Sequence, residues 1–184
     1  MAYCPLESSF DSSGENVHRR DLYGIDVFDE REPPESLLRT VLGYWNTLAA
    51  GGTTPLSDDF LSGKVTPILI QGNVTVIDVS DPNPMNFTIQ STTSSKLIGL
   101  GSEFENTLVN DFPCNMSARA LMADYFRVRE LRQPLYHEIE EVLFGYAQHY
   151  ARLILPLTNE KNYVSTLVVA CRPLMLPRDI ATNE

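Results

Sequence analysis

Hydrophobic positions along the chain change their spacing twice. Leu38, Val41, Leu42, Trp45 and Leu48 recur at steps of three and four, which places them on one face of a helix over residues 35–50. Pro33 and Pro34 open this helix, because the missing proline N–H has no partner in a first turn anyway, and Gly51-Gly52 stop it. From Asn73 the period shortens. Val74-Thr75-Val76-Ile77-Asp78-Val79 is rich in β-branched residues and predicts a strand. Asp81-Pro82-Asn83-Pro84 reads as a turn, and Phe87-Thr88-Ile89-Gln90-Ser91 alternates apolar with polar, as the hairpin partner of the first strand does. Short helical pieces broken by Gly99, Gly101 and Pro113 fill residues 94–113.

Helical spacing then returns. Asn115 caps a helix running to Arg132, with Ala118, Leu121, Met122, Tyr125, Phe126 and Val128 on one broad face and Gln133-Pro134 at its end. Three strands follow, over 135–146, 148–158 and 163–173, the last two joined by the short loop Asn159-Glu160-Lys161-Asn162. Strands gathered in two blocks around a helical block predict an α+β domain with an antiparallel sheet. No Gly-rich phosphate loop follows a strand, so a Rossmann or P-loop architecture is excluded.

Composition narrows the function. The 184 residues carry a net charge of −10, with 43% hydrophobic residues, which suits one domain plus tails. Residues 1–34 hold eight acids against three bases and little periodicity apart from Leu22 to Phe28. They read as a poorly ordered acidic arm with a short docking segment, and residues 174–184 read as a tail. Without a basic surplus, nucleic acid and anionic membrane surfaces are not expected partners. The first residues lack the basic and apolar regions of a signal peptide, and the longest apolar stretch, Thr166 to Cys171, is too short to cross a bilayer. Three scattered cysteines, Cys4, Cys114 and Cys171, form neither a disulfide framework nor a zinc motif, and the expected compartment is the cytoplasm.

The element order resembles the PAS superfamily, and several segments resemble its single-domain bacterial PAS-like members. The residues that carry this are Leu42-Gly43-Tyr44-Trp45-Asn46-Thr47-Leu48 with Gly51-Gly52 in the leading helix, Pro55, Asp58-Asp59 and Pro67-Ile68-Leu69-Ile70 before the first strand, and Ile154-Leu155-Pro156-Leu157 near the end. The resemblance covers about residues 35–173. One departure is Thr88-Ile89-Gln90-Ser91-Thr92, which lacks the Arg and Gly that such proteins often carry at the end of the second strand. The resemblance implies a five-stranded antiparallel sheet with helices on one face and an N-terminal leading helix. It also implies a hollow for a small molecule, and dimerisation through the leading helix, here by Leu38, Leu42 and Trp45.

Candidate chemistry is sparse. Cys114 lies where flavin photoreceptor PAS domains place a reactive cysteine, but its flanking residues differ. Haem sensors ligate through a histidine of the long helix, and residues 115–132 contain none. No cofactor is therefore expected. Glu138, Glu140 and Glu141 are read as a solvated cluster rather than a metal site. Leu121, Tyr125 and Arg129 on the long helix, with Arg152 and Ile154 on the middle strand of the last three, are the expected pocket residues. Arg152 stands in an apolar strand and needs a partner if buried. It can pair with Glu138 or Glu140 across the sheet, lie exposed, or bind a carboxylate ligand. These features predict a non-catalytic sensory or regulatory module that binds a small molecule or a signalling protein as a homodimer. The alternatives are a purely structural module, or a small α+β cone-type enzyme, isomerase- or dehydratase-like, with His137 or His149 as general base.

Overall fold

The computed structural model describes residues 18–23, 36–62, 73–92, 104–111, 115–143 and 146–179. Six strands form one antiparallel sheet: β1 (His18–Tyr23), β2 (Asn73–Asp78), β3 (Thr88–Thr92), β4 (Leu135–Leu143), β5 (Tyr146–Thr158) and β6 (Val164–Asp179), in the spatial order β1-β4-β5-β6-β2-β3. Among the described residues, the α-helices α1 (Leu37–Leu48), α2 (Ser57–Leu61) and α3 (Asn115–Leu131) and 3-10 turns at Pro84–Asn86 and Val109–Asp111 cover it. The expected five strands are present as β2 to β6.

β1 is an addition: within residues 1–34, expected as a poorly ordered arm, His18 to Tyr23 form a paired strand, and the rest of that segment is outside the described residues. His18 to Tyr23 pair with Glu140 to Leu135 and hide the edge of β4. This segment lies earlier than the expected docking segment, whose remainder, Gly24 to Phe28, is outside the described residues. At the opposite edge, β3 is covered by chain from the 104–109 loop. Ile89 N–H donates to Thr107 O, and Ile89 O and Phe87 O accept from Asn106 and Val109. The outer sides of β4 and β3 thus have backbone partners, and the short β1 becomes the terminal strand of the sheet.

Helices lie on both faces. On one, Met122, Tyr125 and Val128 of α3 pack with Phe87, Val109 and the sheet residues Ile77, Ile89, Leu135, Ile139, Ile154, Leu167 and Val169. On the other, Leu38, Val41, Leu42 and Trp45 of α1 and Phe60 of α2 pack on Tyr136, Ala151, Leu153, Leu155, Leu157, Val168 and Ala170. The expectation of a leading helix that dimerises is corrected here: Leu38, Leu42 and Trp45 are 0, 4 and 3% exposed within the single chain. Ser36, not the prolines, starts α1, its hydroxyl accepting from Arg39 N–H. At the far end Gly51 and Gly52 take φ of 108° and 83°, which a side chain would resist.

Proline positions explain two strand lengths. Pairing of β5 with β4 ends at Ile154, so Pro156 lies where β5 has only β6 beside it. Its missing N–H costs no ladder bond there. Its carbonyl accepts from Trp45 Nε1 at 2.8 Å, which ties α1 to the sheet. Pairing of β6 with β2 likewise ends at Cys171. Pro173 and Pro177 therefore do not stop β6, and residues 174–179, expected as tail, continue the strand along β5. The apolar segment Pro67–Ile70, the pieces at 94–103, Pro33-Pro34, Cys4 and Cys114 lie outside the described residues.

Trp45→Ala is expected to destabilise the chain by about 3–5 kcal/mol, and Trp45→Phe, which leaves the Pro156 carbonyl without its donor, by roughly 1–3 kcal/mol, both read from urea melts. Removing residues 1–23 is expected to speed amide exchange in β4 while leaving β6 protected. Unchanged protection of β4 would contradict the β1–β4 pairing.

Candidate functional site

The inner face of the sheet gathers polar residues at one place. Cross-strand register sets Arg152 of β5 beside His137 of β4 and Cys171 of β6, so three polar side chains lie in a row on one face. Above them, α3 turns Leu121, Asp124, Tyr125 and Val128 toward the sheet, at the helical steps of three and four. The result is an ion pair inside the protein: Arg152 Nη2 donates to Asp124 Oδ2 at 2.5 Å. His137 Nε2 stands 3.9 Å from the same oxygen. Arg152 is 3%, Asp124 5% and His137 0% exposed.

Electrostatics follows from this enclosure. Burial by itself disfavours the guanidinium charge, but the Asp124 carboxylate more than offsets it, with smaller contributions from Tyr150, Tyr125 and Cys171, so Arg152 is held charged more firmly than usual. Burial pushes the Tyr125 hydroxyl well above the ordinary range, so it stays a neutral phenol. Arg152 Nε is buried and has no hydrogen-bond partner. The Asp124–Arg152 pair is a poor source of net stability, since both charges have left water. Breaking it from one side is nevertheless costly, because the other charge is then stranded.

The expected pocket residues separate into two groups. Tyr125, Arg152 and Ile154 meet on the inner face, with Leu121 packed at their edge. Arg129 does not join them. Its Nη1 donates to the carbonyls of Val79 and Asp81 and its Nη2 to that of Pro82. Its guanidinium lies 5.1 Å from the Phe87 ring centroid and 4.9 Å from that of Phe126. Arg129 thus clamps the β2–β3 loop onto α3, and Phe126, expected on the inner face, is on the exposed side with it. The clamped loop has its own order: Asp81 accepts from Asn86 Nδ2 and from Asn83 N–H. These bonds, that to Asn86 first, hold the Asp81 carboxyl below its ordinary value of 3.8.

The expected pairing of Arg152 with Glu138 or Glu140 is also corrected. Glu138 stands opposite Ala151 and Glu140 opposite His149, so strand alternation sends both acids to the face away from Arg152. Asp124 is the residue missed. A signal for it existed, since it falls between Leu121 and Val128 on the apolar stripe, where an acid needs a cation. His137 and His149 point to opposite faces of the sheet, and His137 is fully enclosed, so they do not form one catalytic pair.

Two strands, short helical turns, one connecting helix over the inner face and three further antiparallel strands follow one another in the order that the sequence's resemblance to PAS domains implies. A solved light-oxygen-voltage domain, described with a flavin analogue, matches with a TM-score of 0.46 and 14% identity, covering 62% of this chain and 87% of that one. An RNA-binding light-oxygen-voltage receptor matches with a TM-score of 0.48 and 12% identity, covering 86% of this chain; this chain spans only 39% of that receptor. Flavin and RNA are named for those two proteins. No family model matches the sequence, and no curated protein does.

Arg152→Met and Asp124→Leu are each expected to cost about 3–5 kcal/mol, and the two changes together far less than their sum. A double-mutant cycle from denaturant melts measures this, and additive costs would contradict a coupled pair. By NMR, Asp81 is expected to titrate below 3.8 and Asn86→Ala to raise its midpoint. Its depressed value means that this carboxylate supports folding above the unfolded Asp range and loses that support as pH falls through the folded midpoint.

Proposed function

We propose that this chain is a non-catalytic sensory or regulatory module of the PAS kind. It holds a small molecule between α3 and the inner face of the sheet, and passes on the bound state by non-covalent contact with a signalling protein. The observation that supports this reading is the buried guanidinium of Arg152, which joins the helix to the sheet and keeps one donor, Nε, without a protein acceptor. A buried donor of this kind is a directional group for a ligand. It stands on β5, so a ligand that engages it also touches the contact that seats α3, through Asp124. Small movements of α3 relative to the sheet would then follow occupancy.

The rest of the molecule agrees with this assignment. Leu38, Leu42 and Trp45 are spent on the chain's own sheet, so dimerisation through the leading helix is not part of the reading. Net charge of −10 gives no basic surplus for nucleic-acid phosphates, and a protein partner is assigned instead. No helix among the described residues is long and apolar enough to cross a membrane. Cys171, a reduced and buried thiol, suits the reducing cytoplasm. The enzymatic alternative has no support in the geometry, because His137 is enclosed beside an ion pair and His149 is on the far face.

Native mass spectrometry of the full chain tests the proposal. The expected spectrum shows the polypeptide with a non-covalent small molecule that is lost on denaturation. The same compound, re-added at a hundredfold excess over its Kd, is expected to stabilise the fold by about 2.7 kcal/mol, or roughly 5–10 °C in Tm. A native mass equal to the bare polypeptide, with no Tm shift across a metabolite panel, would overturn it.

A further inference from the structure

We infer that the ligand of this site is uncharged and presents a lone-pair oxygen, as a carbonyl, amide or hydroxyl, to Arg152 Nε, and that the site rejects carboxylates. The inference rests on the small-molecule reading above and narrows it to one ligand chemistry. A lone arginine in an apolar strand invites the opposite assignment, an anion receptor, and the structure argues against that. The guanidinium already has its counter-ion in Asp124, bound at Nη2. Nε and Nη2 belong to one planar guanidinium, so any acceptor on Nε lies within a few ångströms of the Asp124 carboxylate.

The charges nearby decide the class. Arg152 and Asp124 sum to zero. Tyr125, over the same region from α3, stays neutral, and Leu121 and Ile154 flank it with aliphatic surface. A carboxylate entering here loses its hydration, is attracted by Arg152 and is repelled by Asp124 across the same guanidinium. The two Coulomb effects largely cancel, and the desolvation loss stays. A carbonyl or hydroxyl oxygen gives up far less hydration and still satisfies the orphan N–H. Asp124 therefore acts as a selectivity residue: it fills the anion position of the arginine and leaves only a neutral acceptor position.

Matched pairs of primary amide and carboxylate with the same carbon frame, benzamide with benzoate and 2-naphthamide with 2-naphthoate, test this on the full chain. Binding is read from the NMR shifts of the Tyr125 and His137 rings and from Tm. The amides are expected to bind about tenfold or more tightly than their carboxylate partners. Asp124→Asn, which keeps the shape and removes the internal counter-ion, is expected to invert that order in favour of the carboxylates. If Asp124→Asn fails to fold, the paired change Asp124→Leu with Arg152→Met serves: it removes the Nε–H donor and is expected to weaken amide binding about tenfold while carboxylates stay excluded. Carboxylates binding as tightly as the amides to the unaltered chain, or amide binding unchanged by the paired change, would overturn the inference and leave the small-molecule reading standing. A bare native mass with no response to any of these probes would remove the small-molecule reading, and this inference with it.

Discussion

β5 is the strand on which the molecule depends, because it is buried on both faces. Its alternation has no solvent side: Tyr150, Arg152 and Ile154 serve the face under α3, while Ala151, Leu153, Leu155 and Leu157 serve the face under α1. A slip of one residue would exchange the two sets, bring Arg152 under the apolar stripe of α1 and take it away from Asp124. Register here is thus set from both sides, by hydrophobic packing below and by an ion pair above. The Asp124–Arg152 contact adds little net stability for the charges it buries, but it admits one alignment of α3 on the sheet and no other.

That arrangement separates the molecule into a part that holds and a part that can respond. The α1 face is bound by aliphatic packing and by the bond from Trp45 to the Pro156 carbonyl, and the outer sides of β4 and β3 are paired with the chain's own backbone. The α3 face carries the polar row His137, Arg152 and Cys171 under Asp124 and Tyr125. Polar contacts are directional and can be exchanged for contacts with a ligand, whereas close-packed aliphatics have no comparable alternative partner. Arg129 extends the polar control outward, binding the β2–β3 loop to the same helix.

Much of the fold was legible because its signals are local. The 3.6-residue stripe of α1, the β-branched run of β2 and the turn at Asp81–Pro84 each depend on neighbours a few residues away. Half of the site was legible in the same way: Tyr125, Ile154 and Arg152 were placed on inward faces by periodicity alone. What periodicity could not supply was partners. Arg152 was matched to acids on the adjacent strand, but the register of β4 against β5 sets His137 beside it and turns Glu138 and Glu140 away. Arg129 followed the pocket stripe by spacing, yet the β2–β3 carbonyls came within its reach only in the folded chain.

The chain by itself determined the elements, their order and the inward side of each, since these follow from backbone geometry and from the free energy of removing apolar surface from water. Tertiary structure decided what the polar groups meet. Whether residues 18–23 pair or trail, which face receives α1, and which acid neutralises Arg152 depend on groups far apart in sequence. An ion pair between residues 124 and 152, or a strand joining residue 20 to residue 138, leaves no periodic trace in the sequence. Such contacts form only when loops close and burial raises the cost of an unpaired charge.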